Sequence, residues 1–508
     1  MNRGGATMGG TRILNGGLAL GCCLLVLVSG VTAQTRAEHL TLEDAIELAR
    51  ANNPTFLSTE NDRDVASWRE REAYGAFLPR VDASGSAAYT KAGTQRIGTL
   101  DFGAQGTDWY SSSYNLGLTW TLSGNTIFGV SNARSTRRAT EARVDAAEFD
   151  LQSRVALQYM AALRARDQVE VAQRQLDRAR QNRRIVESRV FSGDAAGTEG
   201  TQAEVDLGRA EVGLIQAQRD LRQAKLLLAE QIGVGLDPDV RLVDDFEVFE
   251  PTYDVEELVA SAVSGHPSLD AFRAQESARR AAARQTATSQ YLPTVRVSTG
   301  FRGNTLQALN EDFLLESAED RIQSRREECE FENAVSSGLS SPLPGYPRDC
   351  SEHVMTEEMR HEVIASNDVF PFDFTELPFE LRLNVSIPVF TGFSRQRQVA
   401  QARVDAEDAE HDRRAEELRL RTAVTSAADD LESAYRVLET EERNRALAEE
   451  QLQLQQRRYA LGAANLLELL DAQTTVTTAD QAYLNALYDF HFSLVSLEAA
   501  VGRRLPRE

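Results

Sequence analysis

Phe379-Glu380-Leu381-Arg382-Leu383-Asn384-Val385-Ser386-Ile387 carries an apolar side chain at every odd position and a polar one at every even position. A β-strand sends successive side chains to opposite faces, so this stretch predicts a strand with one apolar and one polar side. Three further segments have the same period. Val81, Ala83, Gly85, Ala87 and Tyr89 alternate with Asp82, Ser84, Ser86 and Thr90. Tyr114, Leu116, Leu118, Trp120 and Leu122 alternate with Asn115, Gly117, Thr119 and Thr121. Val295, Val297, Thr299 and Phe301 alternate with Arg296, Ser298 and Arg302. Each is close to the roughly ten residues that cross a bilayer as a tilted strand. Trp109, Tyr110, Tyr114, Phe370, Phe372, Phe374 and Phe390 gather near the strand ends, where interfacial aromatic girdles occur. Four strands cannot close a barrel, and an open edge is not tolerated in hydrocarbon. Copies of the chain must therefore share one barrel: two copies make eight strands and three make twelve.

The rest of the chain is organised by an internal repeat. Asn53-Pro54 and His266-Pro267 each interrupt a helical stretch, and each is followed by alternating charge ending in Leu78-Pro79 or Leu292-Pro293. The residue before proline is pushed out of the helical region, and proline is acceptable at a strand's first position, so both Leu-Pro pairs mark helix-to-strand junctions. Arg134 and Arg403, Gly193 and Gly462, and Gly233 and Gly502 are all offset by 269 residues. A gapless offset sustained over about a hundred residues identifies a duplication. The chain reads as two strand-strand-helix-helix units.

The long segments carry a coiled-coil period. Val155, Ala162, Val169 and Leu176 recur every seven residues, with Leu151, Ala165, Ala172 and Ala179 interleaved. In the second copy Val424, Leu431 and Leu438 recur with Ala427, Ala434 and Ala448. Small residues at these positions let helices approach closely. Neither proline nor interior glycine interrupts 133–190 or 395–460. About 60 helical residues reach roughly 90 Å, more than a compact domain needs.

Residues 1–33 read as an export signal: Arg3 and Arg12 in the n-region, an apolar run from Leu18 to Val31, and Val31-Thr32-Ala33 as a cleavage site. Cys22 and Cys23 lie inside that run; acylation of Cys22 is the alternative to ordinary signal residues. The formal charge of -22, with Lys91 and Lys225 the only lysines, gives no basic footprint for nucleic acid.

A duplicated unit of two strands and long coiled-coil helices resembles the TolC family of outer-membrane efflux and secretion proteins, over about residues 38–503. The most specific local match is Arg458-Tyr459-Ala460-Leu461-Gly462, followed by Leu466, Leu467, Leu470, Asp471, Ala472 and Gln473. It is similar to the family's Tyr-x-x-Gly turn and downstream Leu-x-Ala pattern; the first copy has Phe191-Ser192-Gly193. The resemblance implies a mainly α fold with a small membrane β part. Long antiparallel coiled-coil helices would form a periplasmic α-barrel, and four strands per chain would enter a shared twelve-stranded trimeric β-barrel. It implies a homotrimer in outer-membrane lipid, reaching into the periplasm, and a partner adaptor protein. It also implies an inner-membrane pump of RND or ABC type, for efflux or type I secretion. Glu468 and Asp471 stand at the places of the family's acidic gate ring, six and nine residues past Gly462. Charge rings of this kind select cations; without the resemblance both are solvated helix-face acids. Tyr459 matches the tyrosine of the family's tip latch, and Thr198 and Glu199 its polar and acidic partners. The arginine place is held by Ala464, which predicts a differently held closed state.

The domain reading is a signal over 1–33, a first repeat over 34–233 and an equatorial linker over 234–256. A second repeat over 257–503 and a tail over 504–508 complete it. An insertion at 303–378 falls between the third and fourth strands, on the extracellular side of this topology. It holds Cys329 and Cys350, a candidate disulfide, and a short helix expected at 352–365. His353, Glu357 and His361 share a helix face there, read as surface residues rather than a metal site. The histidines join no nucleophile motif, no phosphate loop is present and no cofactor is implied, so nothing supports an enzyme. The competing reading is a non-conducting periplasmic coiled-coil adaptor or stalk, which the strands disfavour.

Overall fold

The computed structural model describes residues 39–506 apart from 94, 98–99, 103–106, 238, 244–246 and 342. The expected signal over 1–33, with Cys22, lies outside the described residues, as do 507–508. The elements run β1 (His39–Leu40), α1 (Leu42–Asn52), α2 (Pro54–Glu60), α3 (Asp62–Gly75), β2 (Arg80–Thr90), β3 (Gln95–Ile97), β4 (Leu100–Phe102), β5 (Trp109–Leu122), α4 (Gly124–Ser192), α5 (Gly197–Ile232) and β6 (Arg241–Leu242). The second half runs α6 (Val255–Gly265), α7 (Pro267–Ser289), β7 (Thr294–Ala308), α8 (Glu311–Ser337), α9 (Glu357–Ala365), β8 (Thr375–Glu376), β9 (Glu380–Ser386), α10 (Ser394–Ala460) and α11 (Leu466–Val501).

The four alternating segments form one antiparallel sheet in the order β2-β5-β7-β9, with β8 also on β7. Their register turns four local patterns into a single surface. Leu383 pairs with Val297, Val297 with Trp120, Leu381 with Thr299, Thr299 with Leu118, and Leu118 with Val81. Directly paired residues share a face, so the apolar positions of every strand lie together. The other face carries Arg382, Ser298, Thr119 and Arg80 in the same register. The apolar face is open: Val81, Phe301, Leu381 and Leu383 are each 60% exposed or more. Tyr110 stacks on Phe370 and Tyr114 meets Phe374 edge-on at one end of this face.

The strands run further than the alternation indicated. β5 starts at Trp109 and β7 continues to Ala308, so the insertion departs after Ala308 rather than at 303. The helix expected over 352–365 divides into a 3-10 turn at Cys350–Glu352 and α9, whose start is set by Thr356 accepting the Met359 N–H. Cys329 on α8 and Cys350 are joined by a disulfide. Asn333 bonds the Arg348 backbone in both directions, fixing the same loop to α8.

α4 and α10 are 69 and 67 residues long, about 100 Å each at 1.5 Å per residue. Leu151, Val155, Ala162, Leu176, Val424, Leu431 and Leu438 are buried along them, as the heptads require. In the tier beside the sheet the packing order is α3-α4-α7-α10; in the far tier it is α5-α4-α11-α10. Between the tiers β1 pairs with β6 from the linker. The Tyr159 hydroxyl donates to the Leu40 carbonyl at 2.7 Å and accepts the Val243 N–H at 3.2 Å, tying that pair to α4.

The duplicated glycines and helix breaks meet in space. α5 ends at Gly233 with φ 86° and α11 at Gly502 with φ 85°. A Cβ on Gly233 would fall 2.5 Å from the Asn52 carbonyl oxygen, and one on Gly502 3.1 Å from the His266 Cα. Asn53 Nδ2 donates to the Gln231 carbonyl, and His266 Nε2 lies 3.0 Å from the Ala499 carbonyl. The breaks at Asn53 and His266 thus seat the ends of α5 and α11. Gly233→Ala combines left-handed strain with a backbone clash and is expected to cost about 3 kcal/mol. A fall in the urea midpoint larger than that from Gly208→Ala, where nothing lies within 4 Å of the added carbon, checks this.

Candidate functional site at the hairpin turns

The α4–α5 and α10–α11 turns lie side by side at the end remote from the sheet, and the matching glycines make both. Gly193 has φ 80° and Gly462 φ 71°, and the following residues, Asp194 and Ala463, donate back to the Arg189 and Arg458 carbonyls at 2.8 Å. Beneath the turns Val186, Ala203, Leu452, Leu466, Leu469, Ala472 and Val476 bury a small apolar cluster shared by all four helices.

Tyr459 is the centre of the polar contacts. It is 1% exposed, and its hydroxyl donates to Glu199 Oε2 at 2.8 Å, so it links the second hairpin to the first. Arg189 reaches it from α4: the guanidinium lies 4.3 Å from the ring centroid and donates to the Tyr459 carbonyl at 3.1 Å and the Asp194 carbonyl at 3.0 Å. One arginine therefore holds both turns. Thr198 is exposed, and no hydrogen bond joins it to Tyr459. Ala464 is partly buried against the apolar cluster.

Glu468 sits in the first turn of α11, capped by Asn465, whose side chain accepts the Glu468 N–H at 2.9 Å and donates to Glu468 Oε1 at 3.1 Å. Arg458 approaches Glu468 at 3.7 Å. Asp471 is one turn on and exposed. Residues three apart are neighbours on a helix surface, so the two carboxylates adjoin, on the side away from buried Leu469 and Ala472.

Arg189 was not singled out from the sequence. The repeat contained the signal: Arg189 and Arg458 are 269 apart, as are Glu199 and Glu468. The two copies use one arginine-acid pair differently. In the second, Arg458 faces its own Glu468; in the first, Arg189 and Glu199 both turn to Tyr459. Its copy-mate Val190 offers no hydroxyl. Among the described residues, no His, Cys, Asp and Glu cluster is arranged to hold a metal, which leaves His353, Glu357 and His361 without a ligand geometry.

A sheet with an open apolar face, carried on paired coiled-coil hairpins pinned at their far turns, defines the class of outer-membrane channel proteins. The chain belongs to the outer membrane efflux protein family, whose model matches residues 45–234 and 375–503. It is therefore a protein of the outer membrane that extends into the periplasm. A curated relative is the cobalt-zinc-cadmium resistance protein CzcC of Cupriavidus metallidurans, 22% identical over 269 residues. That match covers 53% of this chain and spans 60% of the relative's length. Among solved structures, CusC superposes with a TM-score of 0.65 at 18% identity, covering 91% of this chain and 92% of that one. The open-state outer membrane channel MtrE of Neisseria gonorrhoeae gives 0.63 at 18%, covering 92% and 90%. These likenesses fix the fold; residues 235–374, between the two matched ranges, include β6, α6, α7, β7, α8 and α9.

Burial, with the bond to Glu199, pushes the Tyr459 phenol up to about 12. A raised tyrosine value means the folded state holds the proton more tightly. Its stabilisation is complete below the ordinary value of about 10 and is lost as pH rises through about 12. Tyr459→Phe is expected to remove one late-ionising tyrosine from an ultraviolet titration. Loss of a hydrogen bond to a charged acceptor, worth about 2 kcal/mol, should also speed tryptic cleavage at Arg458 at neutral pH. An unchanged titration and cleavage rate would count against the arrangement.

Proposed function

We propose that the protein is a trimeric channel-tunnel, the exit duct of a tripartite efflux or type I secretion system. The observation that carries this is a layer left open on both sides at every level. The sheet ends in β2 and β9, the near helical tier in α3 and α10, and the far tier in α5 and α10. Apolar side chains stand exposed on the helical edges: Trp68 on α3, Val212 and Ile215 on α5, and Leu447 and Leu454 on α10. The chain exposes 33482 Å², against about 18,000 Å² expected of a compact protein of its mass. Identical copies joined edge to edge around an axis bury all three kinds of edge by the same rotation. Three copies make twelve strands and twelve far-tier helices, the assembly the resemblance implies. A soluble stalk has no use for a sheet face of Leu381, Leu383, Val297 and Leu118.

In this reading the apolar face meets lipid and the polar face lines water. Glu468 and Asp471 from three chains converge six carboxylates at the far end, where Tyr459, Glu199 and Arg189 hold the turns together. The duct does no chemistry; an adaptor and an inner-membrane pump of RND or ABC type supply cargo and drive.

Two measurements test the reading. The protein should require detergent for extraction and run as a trimer in unheated sodium dodecyl sulfate; a monomer soluble in buffer alone would overturn it. In planar bilayers the wild type should pass cations in preference to anions. Glu468→Gln with Asp471→Asn should bring that preference close to unity; retained preference would remove both residues from the gate.

A further inference from the structure

Asp480 lies in the middle of α11, yet its side chain is 1% exposed. Two arginines from two other helices hold it: Arg178 of α4 at 2.9 Å to Oδ2, and Arg445 of α10 at 3.0 Å to Oδ1. Arg445 also rests over the Tyr483 ring at 5.0 Å. The triad thus crosses from the first hairpin to the second and ties both helices of the second together.

Its place in the packing is specific. On α11 the tip cluster ends at Ala479 and the clusters above it begin at Tyr483. On α4 the equatorial cluster ends at Val171 and the tip cluster begins at Ile185; between them Leu176 and Ala179 pack with Leu207, Ala210 and Leu214 of α5. On α10 the corresponding limits are Leu438 and Ala448. Asp480 and Arg445 fall inside the gaps of their own helices, and Arg178 reaches them from α4, between Leu176 and Ala179 of the apolar cluster with α5. One turn below Arg178, the Asn182 side chain is 3% exposed and its Oδ1 lacks a hydrogen-bond partner. A seam therefore crosses α10 and α11, where interdigitated apolar side chains give way to ions that Arg178 joins from α4.

The duplication shows that the seam is not a by-product of the fold. The copy-mates of Arg178, Arg445 and Asp480 are Leu447, Leu176 and Glu211. Leu176 is buried in apolar contact with Leu207 and Ala210, and Glu211 is exposed. The first hairpin runs through the same level with no ionic break.

We propose that the Arg178–Asp480–Arg445 triad is the fulcrum on which the lower part of the second hairpin turns against the first, positioning the tip between its latched and released states. Interdigitated cores are bistable and resist sliding, whereas charge attraction falls off gently with distance and direction. An ion triad between two apolar clusters lets the lower one tilt as a unit while α4, α10 and α11 stay joined. The proposal rests on the channel reading.

The test is bilayer conductance of the full-length protein. Asp480→Asn, nearly isosteric, removes the anion between the two guanidiniums, leaving Arg445 with Glu449 of its own helix at 3.4 Å, and should raise the open probability at least about tenfold. Asp480→Glu, which keeps the charge, should stay near wild type. Arg178→Leu, the residue of its copy-mate, frees the first hairpin while Arg445 still pairs Asp480, and should also raise conductance; it decides the matter if Asp480→Asn fails to assemble. Glu276→Gln is the control. Glu276 is also a buried acid, its side chain 9% exposed, held by Arg280 and Arg413 between α7 and α10 in the tier beside the sheet. A purely structural role for buried ion pairs would make it behave like Asp480→Asn. Conductance unchanged in both triad variants, or raised as much by Glu276→Gln, overturns the fulcrum alone. A wild type that forms no pore overturns the channel reading and the fulcrum together.

Discussion

A backbone amide or carbonyl placed in hydrocarbon has no water to bond, and leaving it unpaired costs several kcal/mol. The β2-β5-β7-β9 sheet satisfies its interior and leaves two edges bare. Everything else in the architecture is compatible with removing those edges by rotation of identical copies. The near helical tier stops at α3 and α10, the far tier at α5 and α10, and each edge carries exposed apolar side chains. The same constraint orders the side chains. Pairing Val81 with Leu118, Leu118 with Thr299 and Thr299 with Leu381 keeps the apolar positions on one face, and a one-residue slip of any strand would turn its apolar side chains to the polar face.

Duplication supplies the length and its divergence supplies the special sites. Gly233 and Gly502, with Asn53 and His266, do the same work in both copies, because seating a helix end on a break needs the same backbone each time. At the turns the copies part. Arg189 and Glu199 converge on Tyr459 across the hairpin boundary, while Arg458 and Glu468 remain within their own turn. Higher up, the second hairpin acquires Asp480 where the first keeps an exposed glutamate. In the proposed trimer a ring of six equivalent hairpins would have one kind of contact between neighbours; these differences would give it two, one of them ionic.

Much of this was legible beforehand. Period-two alternation identified the strands because a half-buried strand has no other way to satisfy two solvents. Period-seven spacing identified α4 and α10 because a long helix can meet a neighbour only along one stripe. The offset of 269 residues identified both turns. The ends of the elements were less legible: β5 and β7 extend into Trp109–Ser113 and Gly303–Ala308, where serine, threonine and glycine blur the alternation and the pairing partner decides. Ala464 at the family's arginine place is legible in the chain; the approach of Arg189 to Tyr459 is not, since 270 residues separate them.

The sequence by itself determined what each segment must be, because helix and strand periodicity, proline junctions and glycine turns are local properties. It also determined that the unit occurs twice and cannot close alone. Only the tertiary structure decided which charges are buried and which are solvated. Asp480 and Asp471 look alike in the chain, nine residues apart on one helix; one is enclosed by two arginines and the other faces water. That difference arises because the field around a carboxylate is set by groups on other helices, and their approach is fixed by packing rather than by neighbours in sequence.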